Sequence, residues 1–286
     1  MCAHRLEERR APGLRTHGQR AVRPVRSSER SPRDLLVQTG VLAGRIVRRW
    51  VRDPATLAET VLVPVAFLVT LNIVLGDGIS KLTGVNALAG SVPLVALVAA
   101  TQGATVGGLG VMAERDNGFL ARLWGTPIHR GAGITSRLLA EALRIVTATA
   151  VLTITGVLLG LRFENGALSV LGWLLVPVLF GVAFAAAVLT VAVYAAKTIV
   201  VEATALISGL FMFFCTGFVP LEQYPDWLQP VVQHQPFSNT VDTMRGLAVG
   251  GPVAAPLMEL LAWTVGILAV CAVPLTVGYR RASTRD

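Results

Sequence analysis

The chain has 286 residues, of which 53% are hydrophobic and only 15% charged, against about 25% charged in an ordinary soluble domain. Mean hydropathy is +0.63, more apolar surface than one soluble core of this length can hide, so a soluble globule is excluded. The formal net charge is +8, and 13 of the 25 Lys and Arg fall within residues 1–53.

The composition predicts an all-α polytopic membrane protein. In lipid, backbone polar groups must be satisfied internally, which leaves helices and closed barrels. The apolar runs are too long for the short alternating segments of a barrel.

In chain order, residues 1–33 hold Pro12, Pro24 and Pro32 among many arginines and serines. They are predicted to be a disordered, arginine-rich cytoplasmic tail. No aromatic precedes Trp50 and no nucleic-acid-binding motif is present, so the basic charge is assigned to anionic membrane lipid, with no nucleic acid partner. Arg9-Arg10 is followed by no apolar stretch and is not an export signal. Residues 34–52 change to a helical pattern. Leu35, Leu42, Ile46 and Trp50 share one face, with Arg45, Arg48 and Arg52 to the side and back. This predicts an amphipathic helix on the inner membrane surface.

Six spans are predicted, at about 54–76, 87–113, 136–161, 167–194, 198–220 and 256–279. Each is long enough, at 1.5 Å per residue, for a hydrocarbon core of about 30 Å. With both termini in the cytoplasm, 22 of the 25 Lys and Arg lie inside and only Lys81, Arg162 and Arg245 outside, as the positive-inside rule requires. Gly107 and Gly108 in the second span read as helix-packing residues. Cys215 and Cys271 sit in apolar runs and read as small buried hydrophobes.

Several chemistries lack their residues. No G-x-x-x-x-G-K-[ST] occurs, so the chain is predicted to hydrolyse no ATP itself. His4, His17, His129 and His234 have no metal-ligand spacing, and no G-x-S-x-G elbow is present. Glu59, Glu141, Glu202 and Glu259 lie near span ends, with Glu202 the deepest. Such acids reach the interface, pair with an arginine such as Arg144, or serve transport.

The loop between spans two and three reads Glu114-Arg115-Asp116-Asn117-Gly118-Phe119-Leu120-Ala121-Arg122-Leu123-Trp124-Gly125-Thr126-Pro127. It is predicted to be a short charged helix stopped near Gly125 and Pro127. Its large apolar residues beside charges suit docking into a soluble partner. The stretch resembles the E-R-x-x-G-x-L-x-x-L-x-x-[ST]-P signature of type 2 ABC (ABC-2) exporter permeases. Glu114, Arg115, Gly118, Leu120, Leu123, Thr126 and Pro127 match, and Phe119 departs from the common small Thr. The outer Val219-Pro220-Leu221, Tyr224-Pro225-Asp226-Trp227 and His234-Gln235-Pro236 are similar to the proline-rich region before the last span in that family. Gly278-Tyr279-Arg280-Arg281 resembles the ending of the mycobacterial daunorubicin-resistance permeases, including the branch associated with phthiocerol dimycocerosate lipid export.

The resemblance covers residues 34–284 and implies an ABC-2 type transmembrane domain. It implies a permease for amphiphilic drugs or complex lipids in the plasma membrane. A cytoplasmic ABC ATPase subunit, in two copies, would bind ATP and Mg, and a second permease chain, identical or related, would complete the pore. Glu114, Arg115, Gly118, Leu120, Leu123, Trp124 and Pro127 are then the ATPase-coupling residues, and Glu202, Trp227, His234 and Pro236 the candidates for substrate path or gate. The alternatives are a proton-coupled secondary transporter relying on Glu202, a lipid-acting membrane enzyme and a structural anchor.

Overall fold

The computed structural model describes residues 32–84, 86–118 and 131–283, and all regular structure among them is helical. Helix α1 is Pro32–Arg52. Helix α2 is composite: Pro54–Leu57, a π-helical turn Ala58–Leu62, then Val63–Thr83. There follow α3 (Leu88–Asp116), α4 (Ala132–Leu158), α5 (Gly166–Tyr194), α6 (Lys197–Phe213), α7 (Gln229–His234), α8 (Pro236–Val249) and α9 (Ala254–Ser283).

The junction between α1 and α2 is set by Asp53. Its carboxylate accepts from the Ala55 N–H at 3.2 Å and the Thr56 hydroxyl at 2.5 Å. This is an N-cap, and Pro54 follows at a first-turn position where no N–H is needed. The Thr56 hydroxyl bond holds the Asp53 carboxyl below the ordinary carboxylate range.

Five helices (α2, α3, α4, α5 and α9) are long and apolar enough to cross a membrane. The predicted first span stops at 76, whereas α2 continues to Thr83. Asp77, Ser80 and Lys81 end the apolar run without ending the helix. The predicted fifth span, 198–220, is α6, with only 17 residues. That gives about 25 Å of helix, short of a core of about 30 Å. Beyond it the chain turns, and the Tyr224 hydroxyl lies 3.2 Å from the Phe213 carbonyl and 3.1 Å from that of Cys215.

Helices α3 and α5 form the centre. Helix α5 packs on α3, α4, α8 and α9, and α3 also packs on α2, α4, α6 and α8. Trp173 of α5 is fully buried; its indole N–H donates to the Thr153 hydroxyl at 2.9 Å, and its ring meets Phe163 edge-on at 5.2 Å. Gly108 of α3 faces Val188 of α5 so closely that a Cβ would come within 2.8 Å of it, as expected of a packing residue. Cys215 and Cys271 are buried and free. At the periphery, Ile73 and Val74 on α2 and Val265, Val270 and Val273 on α9 are exposed, which suits helices facing lipid.

The bundle has two ends. The near end holds Asp53, the C-terminus of α3, the N-terminus of α4 and the α5–α6 junction. The far end holds the α2–α3 and α4–α5 turns and residues 214–235 and 250–253. Helix α8 belongs to the far end at both of its termini. The Glu164 N–H donates to the Ala248 carbonyl at 2.9 Å, and the Ser238 hydroxyl accepts from the Thr216 N–H at 3.3 Å. Phe237, Val241, Met244 and Ala248 of α8 are fully buried. Pro236, at the end of the proline-rich stretch, starts a 14-residue core helix.

Helix α1 packs on α4, with the Thr39 and Thr135 hydroxyls 2.8 Å apart. Leu35, Leu42, Ile46 and Trp50 are half-buried, whereas Leu36, Val37 and Val41 are exposed. The expected stripe therefore includes protein contact, and a neighbouring stripe is the open one.

Candidate coupling site and far-end cluster

Glu114 and Arg115 end α3 at the near end. The Glu114 carboxylate pairs closely with Arg137 of α4 and, at 3.6 Å, with Arg45 of α1. The Arg115 guanidinium donates to the Val193 carbonyl at 3.2 Å and lies 3.5 Å from that of Ala192. Both carbonyls lie at the C-terminus of α5, where a cation is favourable and acceptors lack intrahelical partners. Two adjacent residues thus fasten the end of α3 to α1, α4 and α5. The sequence suggests the rim of an intermolecular interface for this pair; in the structure both make contacts within the chain.

Gly118 follows at φ +66°. A Cβ there would meet nothing within 4 Å among the described residues, and glycine serves the left-handed turn that closes α3. Leu120, Leu123, Trp124 and Pro127 lie outside the described residues, as does the expected short helix.

Higher in α4, Arg144 bonds both oxygens of Glu141, at 2.5 and 2.6 Å, and both side chains are almost wholly buried. The i,i+3 spacing was the available signal. What sequence reasoning missed is the socket: the guanidinium lies against Gly103 of α3, where a Cβ would be 1.7 Å from it.

The four gate candidates do not converge. Glu202 is exposed on α6 and makes no ion pair among the described residues. Trp227 is 76% exposed in the far-end loop. Pro236 is buried at the start of α8. His234 alone joins a polar cluster. Its Nδ1 lies 2.9 Å from Glu259 Oε2, and the same oxygen accepts from the Asn239 amide at 3.2 Å. The Trp263 indole N–H donates to the His234 carbonyl at 2.7 Å.

A second far-end cluster contains Arg245, one of the few basic residues on that side. It bonds Asp242 at 3.2 Å and the Thr216 carbonyl at 2.5 Å, while the Thr216 hydroxyl donates to Asp242 at 2.8 Å. Arg245 is therefore a strut between α8 and the end of α6. Among the described residues no group of three or more His, Cys, Asp or Glu could hold a metal ion.

Long apolar helices around a glycine-lined centre, with charged contacts gathered where α3 meets its near-end turn, define a polytopic membrane domain of the transport type. Residues 37–248 match the ABC-2 type transporter family, and the chain belongs to it. It is 48% identical over 257 residues to the probable doxorubicin resistance ABC transporter permease protein DrrC of two Mycobacterium tuberculosis strains, CDC 1551 and H37Rv. That alignment covers 90% of this chain and 93% of the relative. It is 28% identical over 225 residues to the daunorubicin resistance ABC transporter permease protein DrrB1 of Streptomyces coeruleorubidus, covering 78% and 79% of the two chains. The chain is accordingly a transport component of the permease type, with no ATPase site of its own. Family membership implies an ATPase partner.

Proposed function

We propose that the chain is the transmembrane subunit of an ATP-driven exporter in the plasma membrane, with its near end in the cytoplasm. Six passes and both termini inside are favoured by the 22 of 25 Lys and Arg that then face the cytoplasm. In that arrangement α6 and the turn after it make the fifth crossing. Two ATPase subunits bind ATP and Mg, and a second permease chain, identical or related, completes the pathway.

The observation that carries this proposal is the double fastening at Glu114 and Arg115. A push on the segment that joins α3 to α4 reaches α1, α4 and α5 through ion pairs and helix-end carbonyls. Leu120, Leu123, Trp124 and Pro127 contribute the apolar anchor for the ATPase. Nucleotide-driven closure of the ATPase pair then moves this segment and switches the helices between inward and outward access. The relatives' names point to doxorubicin- and daunorubicin-like drugs, so the cargo class is amphiphilic drugs or complex lipids.

The test is Leu123→Asp. It should abolish capture of the ATPase subunit or uncouple hydrolysis from export, since truncating an interface anchor costs about 1–4 kcal/mol. Gly118→Asn, which tolerates the left-handed turn, should leave assembly intact. Unchanged capture and coupled export in Leu123→Asp would remove the loop from the mechanism. A proton-coupled mechanism would instead need Glu202, so Glu202→Gln should leave ATP-dependent export near normal.

A further inference from the structure

Gly278 and Tyr279, near the end of α9, have no part in the proposed ATPase contact, yet both are buried. Each meets a neighbouring helix through a tyrosine ring seated on a glycine. The Tyr194 ring of α5 covers Gly278 so closely that a Cβ there would lie 2.6 Å from its Cζ. Tyr279 in turn lies on Gly133 of α4, where a Cβ would come within 2.6 Å of its hydroxyl oxygen. Around these contacts Val111 of α3, Leu189 and Val193 of α5, and Leu275 and Tyr279 of α9 form a second apolar cluster at the near end.

Tyr194 does more than pack. Its hydroxyl donates to the Pro274 carbonyl at 2.7 Å, so it holds α9 over one turn, from Pro274 to Gly278. Pro274 has no N–H for the carbonyl four residues before it, which makes this the turn where α9 bends at least cost. Toward the far end, Val265, Val270 and Val273 are exposed, so no dense packing on that face opposes a bend.

Tyr194 is also the last residue of α5, and its neighbour Val193 gives its carbonyl to Arg115. Ala195 is extended, and its N–H closes the helix on the Val191 carbonyl at 2.8 Å. The grip of Arg115 and the grip of Tyr194 therefore fall on adjacent residues of one closed helix end. Arg115 cannot displace Val193 without displacing Tyr194.

We propose that Tyr194 is a positioning residue for coupled export: it carries the movement that reaches Arg115 on to the near end of α9, which bends at Pro274. This deepens the exporter proposal and rests on it for the source of that movement. Glu114 and Arg115 fasten α3 to α1, α4 and α5. Tyr194 adds α9, which neither of them touches through an ion pair or hydrogen bond among the described residues.

The full chain and its ATPase subunit are reconstituted in liposomes, and ATPase capture, hydrolysis and export of doxorubicin are read on the same samples. Tyr194→Ala should keep capture and hydrolysis while export per ATP falls about tenfold, within the range of couplings between sites. Tyr194→Phe keeps the ring on Gly278 and loses only the bond to Pro274, so export per ATP should fall about threefold, the worth of one neutral hydrogen bond. Gly278→Ala displaces the ring and should match Tyr194→Ala. The double variant should be no worse than either, because both changes break one contact. A spin label at Val277→Cys, in a background without Cys2, Cys215 and Cys271, should change mobility when ATP and vanadate are added, and Tyr194→Ala should abolish that change. Full export per ATP or lost ATPase capture in Tyr194→Ala overturns the inference. So do additive losses in the double variant, or a label response that survives Tyr194→Ala. Failure of the wild-type chain to capture the ATPase subunit instead overturns the exporter proposal, and this inference with it.

Discussion

The Arg144 guanidinium occupies the space that any side chain at Gly103 would need: a Cβ on Gly103 would lie 1.7 Å from its Nη2. Helices α3 and α4 meet here through an absent side chain and a buried charge. Glu141 neutralises that charge through both oxygens. A buried pair of this kind is costly to break from one side, because the remaining charge is left without a partner.

Gly103→Ala should therefore lower the thermal midpoint in detergent, with overpacking alone costing about 1–3 kcal/mol. Arg144→Lys in the same chain keeps the charge, removes the planar head and should restore part of the loss. A Gly103→Ala protein as stable as wild type would show that the guanidinium does not sit against this glycine.

At the near end the two partners of Glu114 should rank by burial. The Arg137 side chain is 14% exposed and the Arg45 side chain 52%. Arg137→Ala should cost about 3 kcal/mol, at the low end for a mostly buried pair, and Arg45→Ala less than about 1 kcal/mol. Export coupled to ATP should fall more in Arg137→Ala than in Arg45→Ala. Equal losses in unfolding and export would remove the distinction.

Helix α8 gives a third contrast. Phe237 is fully buried, with its ring 5.1 Å from Phe180 and 5.5 Å from Phe211. Phe237→Ala should destabilise by about 3–5 kcal/mol. Trp227→Ala, in the exposed loop nearby, should stay within about 0.5 kcal/mol. Chemical unfolding of both variants in detergent measures the difference.

The orientation is tested by labelling. In a background without Cys2, Cys215 and Cys271, Asp226→Cys should react with an impermeant thiol reagent from outside the cell. Arg20→Cys should react only after the membrane is opened. Reaction of both positions from outside overturns the proposed sidedness.

The sequence by itself determined the class, because burying or exposing to lipid this much apolar surface permits few architectures. It also located the helices: apolar runs bounded by charge gave α3, α4, α5 and α9 to within a few residues. The Glu114-to-Pro127 pattern pointed to the family, since local motifs survive without tertiary context. The apolar run and the helix end at different places in α2, because Asp77 and Lys81 interrupt the first without breaking the second. After Phe213 the apolar run continues beyond the end of α6.

The tertiary structure alone decided which charges meet and which glycines matter. Nothing local in the chain brings Arg45 and Arg137 to Glu114, Arg115 to the end of α5, or Glu259 to His234, because these partners are distant in sequence and converge only when the helices pack. Gly103 and Gly118 look alike in the sequence, yet one leaves room for a guanidinium and the other supplies a left-handed turn. Proline punctuation hid α8, because a proline that breaks one helix is equally suited to start the next. Only packing against α3, α5 and α9 makes Pro236–Val249 part of the core.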